Sequence, residues 1–135
     1  MSKELKMFDL DEFNLDEIYE FFKISKRHAD RAYVLRNKNI IILIEETSRA
    51  KNEDIDKLVE TIQTVREDER FLNIFQLKDT LGKIKFILTL HARKGLRSEL
   101  AKHLAYKSRK LRATPLTASC DKDFRNKLRS LEILK

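Results

Sequence analysis

Residues 40 to 44 read Ile-Ile-Ile-Leu-Ile. Branched side chains of this kind lose rotamer freedom in a helix and pack well on a pleated surface, so the run is expected to be a strand. No polar residue alternates along it, which suits a strand covered on both faces. Arg31 to Arg36, with Ala32, Tyr33, Val34 and Leu35, reads as a partner strand, and Asn37-Lys38-Asn39 between the two as a turn, because Asn tolerates positive φ. The spacing predicts a β-hairpin ending near Glu46.

The remaining elements alternate around this hairpin. Asn14 can cap a helix running to about Ile24, with Leu15, Ile18, Phe21 and Phe22 on its apolar face. Residues 1–13 are left as an N-terminal segment expected to be flexible. Asn52 can cap a second helix, with Ile55, Leu58, Val59, Ile62 and Val65 at helical spacing. Arg70 to Leu81 either extends it or forms a separate short helix, with Gly82 as the expected stop. Lys83 to His91 reads as a third buried strand. A helix after Gly95 carries Leu96, Leu100, Leu104 and Leu111; Thr114 to Ser119 reads as a short strand, its Pro115 suggesting an edge. Asp121 to Leu134 closes the chain as an amphipathic helix. The order α-β-β-α-β-α-β-α implies a single α/β domain with a mixed sheet of about four strands and helices on both faces.

Composition narrows the partners. With 135 residues the chain can bury roughly two-thirds of its unfolded surface. Cys120 is the only cysteine, so neither a disulfide framework nor a thiolate zinc cluster can be built. Two glycines exclude a Gly-rich phosphate loop. No secretory signal and no membrane-length apolar run is visible, and a cytoplasmic location is expected. The scarcity of Gly and Pro beside abundant Lys, Arg, Glu and Ile is a balance that fits a thermophilic, archaeal source. Charge is unevenly spread. Residues 83 to 135 hold 15 Lys/Arg against 4 Asp/Glu, a net +11; residues 1 to 82 hold 14 against 18, a net −4. A basic half beside a mildly acidic half points to a polyanion, and nucleic acid is the natural one.

The chemistry-bearing residues flank the hairpin. Asp30 precedes its first strand, and Glu45-Glu46-Thr47 ends its second. Strands of about five residues each return the chain to its starting end, so Asp30 and Glu45 are expected to meet. Glu45 and Thr47 share a face and Glu46 points away. Two converging carboxylates form an oxygen site for a hard divalent cation, Mg²⁺ or Mn²⁺, with the backbone carbonyl of Glu46 as a further ligand. A plainer reading of the same residues is a turn-forming Asp30, with Glu45 and Glu46 marking where a buried strand emerges into solvent.

The arrangement resembles the core of the PD-(D/E)XK nuclease superfamily: a helix, a hairpin preceded by Asp, an acidic pair closing its second strand, then helix–strand–helix. Residues from about 28 to 66 carry the resemblance; the rest agrees in element order. It implies a restriction-endonuclease-like fold, as in Holliday-junction resolvases, with Asp30 and Glu45 binding the metal and a Lys two residues after Glu45 handling the water. Ala29 stands in place of the usual Pro, and Thr47 stands where the Lys belongs. Lys51 could enter from the following loop in its place, Thr47 could hydrogen-bond the water, and Glu20 on the first helix either adds a carboxylate or is a solvated helix-face residue.

The expected function is therefore metal-dependent hydrolysis of phosphodiester bonds in DNA, or less readily RNA. Arg93, Lys94, Arg97, Lys102, Lys107, Arg109, Lys110 and Arg112 would hold the backbone. Tyr106 is the one ring among these cations placed to stack on a base, unless it packs on the core. A nucleic-acid-binding module without catalysis and a basic protein-interaction subunit are the alternatives. A homodimer through the first helix or through Leu131, Ile133 and Leu134 is also compatible with the sequence.

Overall fold

The computed structural model of the chain describes residues 10–78 and 81–133. Most of the leading segment, residues 1–9, and Leu134 of the apolar tail lie outside the described residues. The elements follow in the order β1 (Leu10–Asn14), α1 (Leu15–Phe21), β2 (Arg31–Leu35), a 3₁₀ turn (Arg36–Lys38), β3 (Ile40–Thr47), α2 (Asn52–Glu67) and α3 (Arg70–Phe75). A second 3₁₀ turn (Leu81–Lys83), β4 (Lys85–Ala92), α4 (Ser98–Lys110), β5 (Thr114–Ala118) and α5 (Asp121–Ser130) complete it.

Among the described residues the five strands form one mixed sheet in the order β1-β2-β3-β4-β5. The hairpin is antiparallel, with Arg31 opposite Ile44 and Leu35 opposite Ile40. Its turn is closed by Asn39 in the left-handed region, φ 53°, where Asn is tolerated. From β3 onward the strands run parallel, Glu45 beside Leu90 and Leu90 beside Thr117. Parallel pairing needs crossover segments, and α2 with α3 and then α4 supply them.

The period of two along β3 divides the interior. Ile41 and Leu43, with Ala32, Val34, Leu88 and Leu90, pack under α1, α2, α3 and α4. Ile40, Ile42 and Ile44, with Tyr33, Leu35, Ile87 and Leu116, pack under α5 through Phe124 and Leu128. Both faces of the Ile run are thus buried, as its lack of polar alternation requires.

Several boundaries differ from the sequence reading. The sheet has a fifth strand, β1, within the segment expected to be flexible. Only five residues long and carrying Asp11 and Glu12, it has no strong local pattern. It is held by the free edge of β2, by a Tyr33 hydroxyl donating to Glu12 Oε1 at 2.7 Å, and by Phe13 packing on the Phe75 ring at 4.9 Å. The first helix ends near Phe22 because Lys23 turns left-handed, φ 58°. Residues 70–75 form a separate helix, stopped by Gln76 at φ 57° and not by Gly82. Ile133 is buried under α5, so of the tail residues expected at a dimer face Leu131 alone is exposed among those described.

Candidate active site at the carboxyl end of the parallel strands

The residue that precedes β2 is fixed from both sides. The Asp30 N–H donates to the Ile44 carbonyl at 3.0 Å, and its own carbonyl accepts from the Leu15 N–H at 3.1 Å. The regular pairing ends at Arg31 and Ile44, and the Asp30 N–H, reaching the Ile44 carbonyl, lies one residue off the register of the strands. Asp30 still lies close enough to Glu45 for its negative charge to act on that carboxyl. Asp30 Oδ2 accepts the Glu46 N–H at 2.7 Å. The preceding Ala29 N–H donates to Thr61 Oγ1 at 2.7 Å, and that hydroxyl donates to the Lys57 carbonyl at 2.6 Å. One Thr on α2 therefore ties the start of the hairpin to the helix that covers it.

Glu45 is 3% exposed. Lys57, one turn after Asp54 and one turn before Thr61 on the same helix face, donates from Nζ to Glu45 Oε2 at 3.2 Å. Oε1 is buried and has no hydrogen-bond partner among the described residues. Burial, and after it the negative charge of Asp30, push the Glu45 carboxyl up to about 8; the hydrogen bond from Lys57 acts the other way and is outweighed. The same contact raises the Lys57 ammonium. Asp54 adds to the negative field at Glu45 while accepting the Lys51 N–H at 2.9 Å.

The other candidate residues sort around this pair. Glu46 turns its carboxylate to the opposite face, where it meets Arg31 at 2.6 Å, so its backbone carbonyl is the group left for a cation. Thr47 Oγ1 donates to the Arg49 carbonyl at 3.2 Å. Lys51 stands exposed at the start of α2 and Glu20 is exposed on α1; neither has a contact with the acid pair. Arg93 donates to Ser48 Oγ at 3.1 Å. Lys94, Arg97, Lys102, Arg109, Lys110 and Arg112 are exposed, Lys107 is half-buried, and Tyr106 is 49% exposed beneath Lys110 at 4.7 Å. Lys57, Thr61 and Asp54 were not singled out from sequence as site residues. The available signal was their spacing: i, i+3 and i+7 on a helix lie on one face, and that face follows directly on the acidic strand end.

The location suits chemistry. In open α/β sheets ligands bind beyond the carboxyl ends of the strands, and here β3 leaves the sheet beside β4 where pairing changes from antiparallel to parallel. Among the described residues no three His, Cys, Asp or Glu side chains cluster as a ready-made metal site. Two carboxylates and a carbonyl would leave much of an octahedral Mg²⁺ shell to water and phosphate, as is usual for that ion. A buried, unpartnered carboxylate oxygen facing a second carboxylate is the kind of atom such an ion would satisfy. No helix among the described residues is long and apolar enough to cross a membrane.

Fold and site together define a mixed-sheet α/β domain with an acid pair and a lysine at the carboxyl end of its parallel strands. Protein-family models, curated proteins and solved structures offer no match to this chain.

Proposed function

We propose that the chain is a metal-dependent phosphodiesterase acting on nucleic acid, DNA before RNA, on a restriction-endonuclease-like arrangement of its sheet and helices. The observation that carries this reading is Glu45: buried, within the field of Asp30, bonded to Lys57 through one oxygen and, among the described residues, to nothing through the other. A structural ion pair has no need of that second oxygen, and leaving it unsatisfied costs roughly 1–3 kcal/mol.

Asp30, Glu45 and the Glu46 carbonyl would hold Mg²⁺ or Mn²⁺. The ion, when bound, supplies polarisation of the phosphoryl oxygen and a more acidic water. Asp30 is held in place by its bond to the Glu46 N–H. Lys57 fills the role for which Thr47 has no charge: its ammonium lies against Glu45, where it can orient the attacking water and offset the charge that develops on phosphorus oxygens. The exposed cations of α4 and of the loop before it attract the polyanion.

The test uses the full chain with end-labelled duplex and single-stranded DNA in Mg²⁺ or Mn²⁺. Cleavage is expected, falling by about 100-fold or more in Glu45→Gln and in Lys57→Met, and changing little in Lys51→Ala. Parent and Glu45→Gln cutting alike would remove the enzymatic reading. Binding without cleavage by the parent would leave a nucleic-acid-binding module.

A further inference from the structure

At the end of the sheet where β3 and β4 finish lies a hollow of about 420 Å³, lined by Arg49, Ala50, Lys94, Gly95, Leu96 and Arg97. Its size falls in the range of small-ligand sites. Two loops build it, and they are zipped together: the Arg93 N–H donates to the Thr47 carbonyl at 3.1 Å and the Lys94 N–H to the Ser48 carbonyl at 2.7 Å. Gly95 turns the second loop at φ 122°, a conformation open to glycine, and the space where its side chain would project is empty to 4 Å. The lining holds three cations and no acid, and among the described residues none of the three has an ion-pair partner. α4 begins at this wall, with Arg97 at its N-cap making no side-chain capping bond, so the positive end of the helix adds to the field.

We infer that this hollow receives a terminal phosphate monoester of a nucleic-acid strand whose adjoining linkage lies at the Asp30–Glu45 site. The inference deepens the proposed function and rests on it. Charge decides the class of ligand. An internal phosphodiester carries one negative charge, and a backbone contact is ordinarily met by single cations spread along the groove. Three cations lining one hollow beside a helix N-terminus exceed that need. A terminal monoester carries about −1.5 to −2 near neutral pH and presents three acceptor oxygens, and Arg matches such oxygens in a fork. Position decides the register. Arg49 follows Glu45 by four residues, so the two lie at most about 14 Å apart along the chain. A strand anchored by its phosphate end would present a linkage close to that end, and the product would be short.

The experiment reads binding in metal-free buffer by anisotropy, so it does not depend on cleavage. The full chain is titrated with one duplex bearing a 5′-phosphate, a 3′-phosphate or hydroxyl ends, with and without inorganic phosphate. One phosphorylated form is expected to bind about tenfold tighter than the hydroxyl form, and inorganic phosphate is expected to erase the difference. Lys94→Gln with Arg97→Gln should abolish the preference, weakening the phosphorylated duplex about tenfold more than the hydroxyl-ended one. Equal affinity for all ends, or equal weakening of all of them in the double variant, overturns the inference. A chain that prefers phosphate ends but fails to cleave in Mg²⁺ would sink the proposed function and leave the pocket standing.

Discussion

A carboxyl group that is 3% exposed and faces another acid does not ionise readily. Glu45 is held at about 8 against an ordinary 4.5, burial being the larger cause and Asp30 the next. The folded state therefore prefers the protonated form. Its contribution to stability is complete below about pH 4.5 and is lost as pH rises through 8, by an amount on the order of a few kcal/mol. In metal-free buffer the melting temperature of the parent should fall between pH 5 and 8 more steeply than that of Glu45→Gln. Parallel curves would mean the group is not held neutral. A divalent cation must displace that proton, so the apparent Mg²⁺ affinity should rise with pH across the same window. Asp30 and Glu45 were legible as a pair in the sequence, because a hairpin of known strand lengths returns its ends together. Lys57 was not. The sequence pointed to Thr47 and Lys51, the residues near Glu45 along the chain, whereas a helix packed across the strand end brings in a lysine twelve positions away.

At the level of elements, α2 does more than cover the sheet. Thr61 accepts the Ala29 N–H at 2.7 Å within a buried environment. Thr61→Val would leave that N–H without an acceptor and should cost about 1–3 kcal/mol in urea unfolding, with Thr61→Ser retaining most of the stability. Because Ala29 precedes Asp30, the Val variant should also weaken Mg²⁺ binding; an unchanged affinity would show that Thr61 supports the fold alone. Helices with strong apolar periodicity, such as α2 and α4, were readable from their residues, although Lys51 and not Asn52 stands at the N-cap of α2. The edge strand β1 was not readable, and the break between α2 and α3 was one of two alternatives that the residues left open. Leu10–Asn14 becomes a strand because β2 presents an open edge beside it, and Gln76 ends α3 in a left-handed conformation that Gly or Asn would have signalled.

For the molecule as a whole, the charge asymmetry is the term that acts at a distance. Lys102 and Arg109 lie exposed on α4 and do not line the hollow. Replacing both by Gln should reduce the slope of log affinity for duplex DNA against log salt by about two, close to one per phosphate contact, while leaving the discrimination between strand ends intact. An unchanged slope would place the nucleic acid on another face. The α/β class, the burial of the Ile40–Ile44 run on both sides and the basic character of the last third follow from residue order alone, because periodicity, branching and net charge are local quantities that no packing can alter. The fifth strand, the lysine at Glu45 and the cationic hollow are of another kind. Each consists of groups far apart along the chain, and only the pairing of β1 on β2, the packing of α2 across the strand end and the bonding of the loops after β3 and β4 set the distances at which they act.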